Sequence, residues 1–237
     1  MTDEPLAQAW ENQAEAWRRW TRTPGLDRHF HRYNWPSFVE LVPPPGRATL
    51  DLGCGEGRAG VVLARLGHRL TGVDLAPSMV RLARETGAYA DVVHADAAAL
   101  PFGDASFDLV LAFMSLQDMD DAAGAVRESA RVLEPGGSLA LAVVHPFASA
   151  DPEGDGTRRR PYFDVQRTVD VVERGGVEVA FHQIHRPLHG WFAMLRDAGF
   201  VVEDLREPRP TPSDDDWAEE KRARPLFLHM RCMKPDR

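Results

Sequence analysis

Three glycines at alternate positions follow an acidic residue in this chain: the run Leu50–Gly57 reads LDLGCGEG. Glycine has no Cβ atom, so it tolerates positive φ and lets a ligand approach the backbone closely. A tight turn of this kind, between a buried strand and a helix, opens a crevice at the carboxyl end of the strand. A second short apolar run, Leu70–Asp74, also ends in an acid. The distance between the two acids fits one βαβ unit whose second acid binds a ribose diol, so the sequence predicts a site for a nucleoside-containing cofactor.

The glycine turn leaves open which cofactor binds. Residues 55–60 match the dinucleotide pattern G-x-G-x-x-G, which is a weak signal because it requires only three glycines. The longer pattern, in which Asp51 stands between apolar residues before the alternating glycines, resembles the first motif of the Rossmann-like S-adenosylmethionine-dependent methyltransferases. Further segments resemble this family in the same order along the chain: Asp74–Met79, His94–Phe102, Ser106–Val110 and Arg131–Gly137. A dinucleotide enzyme is not expected to show all of these segments together.

The resemblance implies an α/β fold with a Rossmann-like sheet of seven mostly parallel strands, in the order 3-2-1-4-5-7-6 with the last strand antiparallel. It also implies S-adenosylmethionine as the cofactor and S-adenosylhomocysteine as the product. Asp74 is expected to accept hydrogen bonds from both ribose hydroxyls, and Asp96 to contact the adenine amino group. The expected cofactor-binding residues are Asp51, Gly53, Cys54, Gly55, Gly57, Asp74, Leu75, Asp96, Ala97 and Phe113.

The alternation of strands and helices after Thr49 predicts a parallel sheet with helices on both faces. Strands are expected near 48–53, 69–74, 91–95, 107–113 and 138–144, helices near 58–66, 78–86, 121–133 and 188–195, and a closing pair of strands near 200–205 and 225–230. We expect a single domain over 1–237. Its parts are an N-terminal helical lid (1–45), a cofactor-binding core (46–145), an insertion or cap (146–186) and the C-terminal part of the sheet (187–237).

The lid and the cap are predicted from two segments outside the regular alternation. Before the glycine turn, apolar and tryptophan residues at helical spacing predict one helix from Leu6. A second helix is predicted from about 27 to 41, with a kink or break at Trp35–Pro36. In the insertion, Arg174–Gly176 joins two strand-like runs and predicts a hairpin. The aromatic residues of the N-terminal segment either pack its helices onto the domain or, as for Trp17 and Tyr33, cover the cofactor. The hairpin either caps the acceptor pocket or is merely structural.

Methyl transfer is an in-line displacement, so alignment and desolvation supply much of the rate, and a base is needed only where the acceptor must lose a proton. We expect His145, at the end of an apolar strand, to be that base, with His185 as the second candidate. Alternatively, the His145 imidazole only bonds a neighbouring loop. Asp118 either orients an acceptor or a histidine, or it caps a helix. The expected substrate-pocket residues are Trp17, Tyr33, Gln117, Asp118 and His182.

Composition narrows the class of protein without deciding it. The chain has 237 residues, is 43% hydrophobic and carries a net charge of −8, so general attraction to nucleic-acid backbones is not expected. Arg158–Arg160 is a compact basic run, either a solvated loop or a guide for an anionic substrate. Cys54 and Cys232 lack metal-ligand spacing, and no metal is expected. An acidic N-terminus and the lack of a long apolar run predict a cytoplasmic protein with no membrane partner.

The sequence therefore predicts a methyltransferase that acts on a small molecule, with oxygen favoured as the acceptor atom, in a monomer or homodimer. Three alternatives remain open at this point. They are a nucleic-acid or peptide methyltransferase, an NAD-dependent oxidoreductase, and a protein that binds the cofactor without catalysis.

Overall fold

The computed structural model describes residues 4–151, 159–210 and 224–236. Within these ranges, seven strands form one sheet in the order β3-β2-β1-β4-β5-β9-β8, and β6 pairs with β7 in a separate hairpin. Pairing is parallel from β3 to β5, whereas β9 is antiparallel to both β5 and β8. When the strands of this sheet alone are numbered in chain order, without the hairpin strands β6 and β7, their order is the predicted 3-2-1-4-5-7-6 with the last strand antiparallel. The predicted fold class is therefore confirmed.

The strands are β1 Thr49–Leu52, β2 Leu70–Asp74, β3 Asp91–His94, β4 Phe107–Phe113, β5 Leu133–Val144, β6 Gln166–Arg174, β7 Val177–His185, β8 Val201–Arg206 and β9 Phe227–Met233. The α-helices are α1 Leu6–Arg22, α2 Trp35–Val39, α3 Arg58–Arg65, α4 Pro77–Glu85, α5 Ala122–Val132, α6 Pro146–Ala150 and α7 Leu188–Asp197. Every residue of β1 is buried, as expected for a central strand covered by helices on both faces.

Two strands extend three or more residues beyond their predicted bounds. The fifth strand was expected to begin at 138 but begins at Leu133, because the Pro135–Gly137 segment forms an irregularity inside the strand instead of a turn before it. The register with β4 shifts there: Phe107 faces Leu133, while Leu109 faces Ser138. The last strand extends to Met233, three residues beyond the expected end, since its antiparallel pairing with β5 continues as far as Ser138.

The N-terminal segment forms the two predicted helical regions, with a change at the proline. A π-helical turn, Phe30–Asn34, leads directly into α2. Pro36 cannot donate a backbone hydrogen bond and its ring crowds the preceding turn of an α-helix, and a wider turn relieves this conflict. The chain therefore widens before Pro36 instead of breaking.

Helix α1 docks on the hairpin through side-chain and backbone contacts. The Gln13 amide Nε2 donates to the Ala180 carbonyl at 2.7 Å, and its Oε1 accepts from the Ala180 N–H at 3.1 Å. Trp20 packs in one buried cluster with Leu26, Val177 and Val179. Glu11 joins the same helix to the core, because it accepts from both the backbone N–H and the hydroxyl of Ser78 at the start of α4.

No helix in the described part of the chain is both long enough and apolar enough to cross a membrane. Two sequence features fall outside the described residues: Arg158 of the basic run, and the acidic run Asp214–Asp216.

Candidate active site

A cavity of about 590 Å³ lies at the carboxyl ends of β1, β2 and β4, a volume typical of small-molecule sites. The glycine turn forms one wall. Gly53, Gly55 and Gly57 all have positive φ, and the N–H groups of Gly53 and Cys54 both donate to the Val73 carbonyl. A Cβ atom built on Gly55 meets nothing within 4 Å, so this turn presents open backbone to the cavity.

The structure brings most of the predicted cofactor-binding residues into this cavity. Those that line it are Asp51, Gly53, Cys54, Gly55, Asp74, Leu75, Asp96, Ala97 and Phe113. Gly57 does not line it. Instead, Gly57 adopts the left-handed conformation that starts α3, where a Cβ would approach the Ala83 Cα to 3.1 Å. Gly57 therefore supports the conformation of the turn.

Asp74 fixes the geometry between the two strand ends. One carboxylate oxygen accepts from the Gly55 N–H and the other from the Ala76 N–H, both at 2.9 Å. Burial raises the pKa of Asp74. Each carboxylate oxygen still has acceptor capacity after one such bond, so Asp74 can both hold the turn and receive hydroxyl donors from a ligand.

Asp51 is the most enclosed acid of the crevice, with 2% of its surface exposed. The Tyr89 hydroxyl donates to its Oδ2 at 2.6 Å. Burial raises the pKa of Asp51 to about 7, against the opposing effect of the Tyr89 hydrogen bond, and the negative charges of Asp74 and Glu56 add to the increase. This concentration of acids favours a ligand that carries positive charge.

The N-terminal helical segment contacts the glycine turn through two charged residues, Glu56 and Arg58, that the sequence analysis did not single out. Trp17 Nε1 donates to Glu56 Oε2 at 2.8 Å. Arg58 pairs with Asp27 at 2.5 Å, and its guanidinium lies 4.0 Å from the Phe30 ring centroid. Although burial opposes it, Arg58 holds the pKa of Asp27 below its usual value. The sequence signal for this contact was the presence of charged residues immediately beside the glycines.

Beyond the crevice, the same cavity continues into a chamber between α1, the π-helical turn and the hairpin. Its aromatic and aliphatic lining includes Trp10, Trp17, Trp20, Phe30, Phe181, Leu226 and Phe227. Most of these residues were not predicted for the site, since they come from segments far apart in the sequence. Of the predicted pocket residues, Trp17, Gln117 and Asp118 line the cavity, whereas Tyr33 and His182 do not.

Gln117 and Asp118 present polar atoms where β4 leaves the sheet. Gln117 Nε2 donates to the Met114 carbonyl at 2.6 Å, which orients the amide. Gln117 Oε1 is buried and has no hydrogen-bond partner among the described residues. Burial raises the pKa of Asp118 well above its usual value. The alternative role of Asp118 as a helix cap is filled by Asp121, whose carboxylate accepts from the Gly124 N–H at the start of α5.

The two predicted bases lie outside the cavity lining, and both imidazoles have other partners. His145 Nδ1 accepts from the Phe147 N–H at the start of α6, and its Nε2 lies 3.0 Å from Glu207 Oε1. His185 Nε2 donates to the Tyr162 carbonyl, so its Nδ1 accepts from the Ser149 hydroxyl at 2.6 Å. Burial lowers the pKa of each histidine. These contacts are those of structural histidines.

The sheet order, the glycine turn and the acid at the end of β2 define a Rossmann-like nucleoside-binding protein. Residues 50–141 match the family described as "Methyltransferase domain". A crystal structure of an S-adenosylmethionine-dependent methyltransferase from Mesorhizobium loti aligns with a TM-score of 0.69 and 26% identity, over 84% of this chain and 97% of that one. Residues 50–141 therefore carry the methyltransferase-domain pattern, on a Rossmann-like sheet similar to that of the S-adenosylmethionine-dependent methyltransferase.

Curated relatives match part of the chain. One is the 27-O-demethylrifamycin SV methyltransferase of Amycolatopsis mediterranei, 41% identical over 40% of this chain and 38% of the relative. Another is a ubiquinone biosynthesis O-methyltransferase of Xanthomonas axonopodis, 36% identical over 56% of this chain and 59% of the relative. The chain thus covers between about two fifths and three fifths of the length of these relatives. The structure of the cyclase SpnF aligns over 97% of this chain with a TM-score of 0.67 at 21% identity, a likeness of fold alone.

S-adenosylmethionine, the cofactor that this domain implies, suits the residues present. The open face of Gly55 admits a ligand against the backbone, and Asp74 retains acceptor capacity for ribose hydroxyls. The buried acids Asp51 and Glu56 complement a cofactor that carries a sulfonium and an ammonium group. When bound, the cofactor supplies an electrophilic methyl group.

Proposed function

We propose that this protein transfers a methyl group from S-adenosylmethionine to a small-molecule acceptor, with an oxygen atom as the favoured site of methylation. The observation that carries the proposal is the continuity of one cavity. It begins at the glycine turn and Asp74 and continues into the aromatic chamber beneath α1 and the hairpin. A donor and an acceptor held in adjoining parts of one cavity meet the geometric requirement of a direct displacement.

The lining of the chamber supports an acceptor with a flat, apolar body. Trp17 and Trp20 meet the Phe181 ring edge-on at 5.9 and 6.1 Å, which places aromatic surfaces along this wall. The Arg58 and Arg174 guanidinium groups lie 5.0 and 5.3 Å from the Trp17 and Trp20 ring centroids. Rings of this kind bind planar ligands through large apolar contacts. The preference for oxygen is supported by the relatives described above, whose names give O-methylation.

Asp118 is the proposed partner of the acceptor hydroxyl. Its carboxyl group lines the cavity beside Gln117, and the buried Gln117 Oε1 is a further acceptor for a polar ligand hydrogen. A carboxylate whose pKa is raised by burial is a stronger base than an exposed one, so Asp118 can take a proton from the acceptor as the new bond forms.

The direct test is methyl transfer from S-adenosylmethionine labelled in its methyl group. A panel of phenols, aliphatic alcohols, carboxylic acids and amines of comparable size is incubated with the protein, and products are identified by mass. We expect product from one or more hydroxyl-bearing aromatic compounds. Transfer to amines alone would contradict the oxygen preference, and transfer to RNA or a peptide alone would contradict the small-molecule acceptor.

A second candidate function is cofactor binding without methyl transfer. SpnF, whose structure aligns with this chain, is named a cyclase, so this fold alone does not specify methylation. Calorimetric titration separates the candidates: tight S-adenosylmethionine binding with no product from the panel or from a metabolite extract favours this one. Tighter binding of NAD(H) than of S-adenosylmethionine would favour an oxidoreductase instead.

A further inference from the structure

Tyr89 lies in the loop between α4 and β3, and its ring passes behind the glycine turn. The neighbouring Ala90 N–H donates to the Leu70 carbonyl at 2.8 Å, which fixes this loop against β2. A Cβ atom on Gly60 would come within 2.2 Å of the Tyr89 hydroxyl oxygen, and one on Gly72 would lie 3.1 Å from the ring. Because Gly60 in α3 and Gly72 in β2 have no side chains, they leave open a passage through which the Tyr89 phenol reaches the site.

The end of this passage is the carboxylate of Asp51. The Tyr89 hydroxyl donates to Asp51 Oδ2 at 2.6 Å, a short hydrogen bond to a nearly fully buried acid that also lines the cofactor cavity. Burial and the adjacent Asp51 charge raise the pKa of Tyr89, so its hydroxyl keeps its proton and remains a donor. The bond therefore fixes the carboxylate from behind while its cavity side remains available.

The charges around Asp51 make this bond consequential. Asp74 at the end of β2 and Glu56 in the glycine turn are both acids, and the neighbouring Cys54 thiol keeps its proton because burial raises its pKa. Arg58, which begins α3 directly after the turn, is paired with Asp27 and lies 3.6 Å from Glu56. Thus, among these groups, the Tyr89 hydroxyl is the one that favours the ionised form of Asp51.

We propose that Tyr89 is a positioning residue, which holds the Asp51 carboxylate ionised and aimed at the cationic methionine portion of S-adenosylmethionine. This inference rests on the proposed function, because it assumes that this cofactor fills the cavity. Tyr89 acts only through Asp51. The third glycine of the apparent dinucleotide pattern, Gly60, then serves to admit the phenol ring.

The test compares wild type with Tyr89→Phe, which keeps the ring that fills the passage and removes the hydroxyl. Without the hydrogen bond, the pKa of Asp51 rises above its wild-type value of about 7. The affinity for S-adenosylmethionine near pH 7 then falls on the order of ten-fold, the usual scale for a hydrogen bond to a charged group. The deficit shrinks as the pH is raised, since Asp51 ionises again. Titration of the ligand itself is common to both proteins and cancels in the ratio of their dissociation constants.

Two measurements keep the outcomes distinct. Carbon-13 NMR of the Asp51 carboxyl in the ligand-free protein follows its titration directly, and calorimetry gives the dissociation constant at each pH. Tyr162→Phe is the matched control, because that hydroxyl accepts from the Leu188 N–H away from the cavity, and wild-type behaviour is expected. In Asp51→Asn, the further change Tyr89→Phe is expected to have no pH-dependent effect on binding.

An unchanged Asp51 titration in Tyr89→Phe, or a loss of affinity equal at every pH, would overturn the inference. If wild type itself fails to bind S-adenosylmethionine, the proposed function fails, and the NMR titration still decides whether Tyr89 controls Asp51. A Tyr89→Leu variant gives a further check: lower thermal stability with the same pH response as Tyr89→Phe separates the loss of ring packing from the loss of the hydroxyl.

Discussion

Trp17 and Glu56 join the N-terminal helix to the glycine turn, through a 2.8 Å hydrogen bond from the indole Nε1 to the Glu56 carboxylate. Glu56 is 4% exposed and its other oxygen faces Arg58 at 3.6 Å, so α1 and the glycine turn share one buried carboxylate group. The segment that covers the site is thereby linked to the segment that forms it. Loosening one is expected to loosen the other.

Trp17→Phe is expected to weaken cofactor retention. The change removes the donor to Glu56, and a buried carboxylate oxygen left without its partner costs roughly 1–3 kcal/mol. We expect faster release of S-adenosylhomocysteine in stopped-flow experiments and a lower free energy of unfolding. Trp10→Phe is the matched control, because Trp10 lies edge-on to Trp17 in the same helix and its Nε1 has no hydrogen-bond partner in the part of the chain that the structure describes. Equal effects of the two changes would contradict a specific role for the Trp17–Glu56 bond.

Asp74→Ala is expected to lower the affinity for S-adenosylmethionine by roughly ten- to a hundred-fold, since charge-assisted hydrogen bonds to the ribose are lost. The same change releases the Gly55 and Ala76 N–H groups, so thermal unfolding is measured beside calorimetry to separate binding from stability. Asp96→Ala is expected to be milder, because Asp96 is exposed and its Oδ1 accepts from the Ala98 N–H within its own turn. Unchanged affinity in Asp74→Ala would remove this residue from the cofactor site.

His145→Ala is expected to affect stability more than turnover. The imidazole caps the start of α6, and loss of an N-cap side chain costs about 0.5–2 kcal/mol. Urea unfolding measures this loss, and methyl transfer at saturating cofactor is expected to stay within a few-fold of wild type. A fall of ~10²-fold or more with unchanged stability would instead support the base predicted from the sequence.

The cofactor crevice was predictable from the sequence because its parts are local. Asp51 is the penultimate residue of β1 and Asp74 is the last residue of β2. The glycine spacing fixes the turn between strand and helix, so the position of each residue follows from its immediate neighbours. The hairpin was predictable for the same reason, since Gly175 and Gly176 both take the positive φ that their turn requires.

Residues whose roles depend on distant partners were not predictable in this way. His145 directly follows β5, but its Nε2 lies beside Glu207, more than sixty positions along the chain. Tyr89 belongs to an unremarkable loop, and nothing local shows that its hydroxyl reaches Asp51. The aromatic chamber likewise forms only when α1 packs on the hairpin, which no short-range periodicity specifies.

His229 is expected to make stability depend on pH. It is fully buried, its Nε2 lies 2.7 Å from Asn34 Oδ1, and burial lowers its pKa to about 3. The unfolded chain therefore binds one more proton than the folded protein between about pH 3 and the ordinary histidine pKa of about 6.5, so the free energy of unfolding falls as the pH drops through this window. Urea titrations between pH 4 and 7 are expected to show a shallower dependence in His229→Gln. An unchanged slope would mean that other groups carry the effect.

Asp118→Asn is expected to reduce methyl transfer to a hydroxyl acceptor by about 10²- to 10⁴-fold, the usual contribution of a general base. The amide keeps the size of the side chain and cannot accept the proton, so the affinity for S-adenosylmethionine is expected to change little. Burial raises the pKa of Asp118, with the charge of Asp74 adding to the effect while Gln117 and Arg186 oppose it. Wild-type turnover therefore requires the ionised form of Asp118 and falls as the pH drops through this raised pKa. The residual turnover of the variant is expected to lack this fall. A pH–rate profile of both proteins, with cofactor saturating, checks the assignment. Near-normal turnover in Asp118→Asn would leave alignment in the aromatic chamber as the source of the rate and would fit an acceptor that is already ionised at neutral pH.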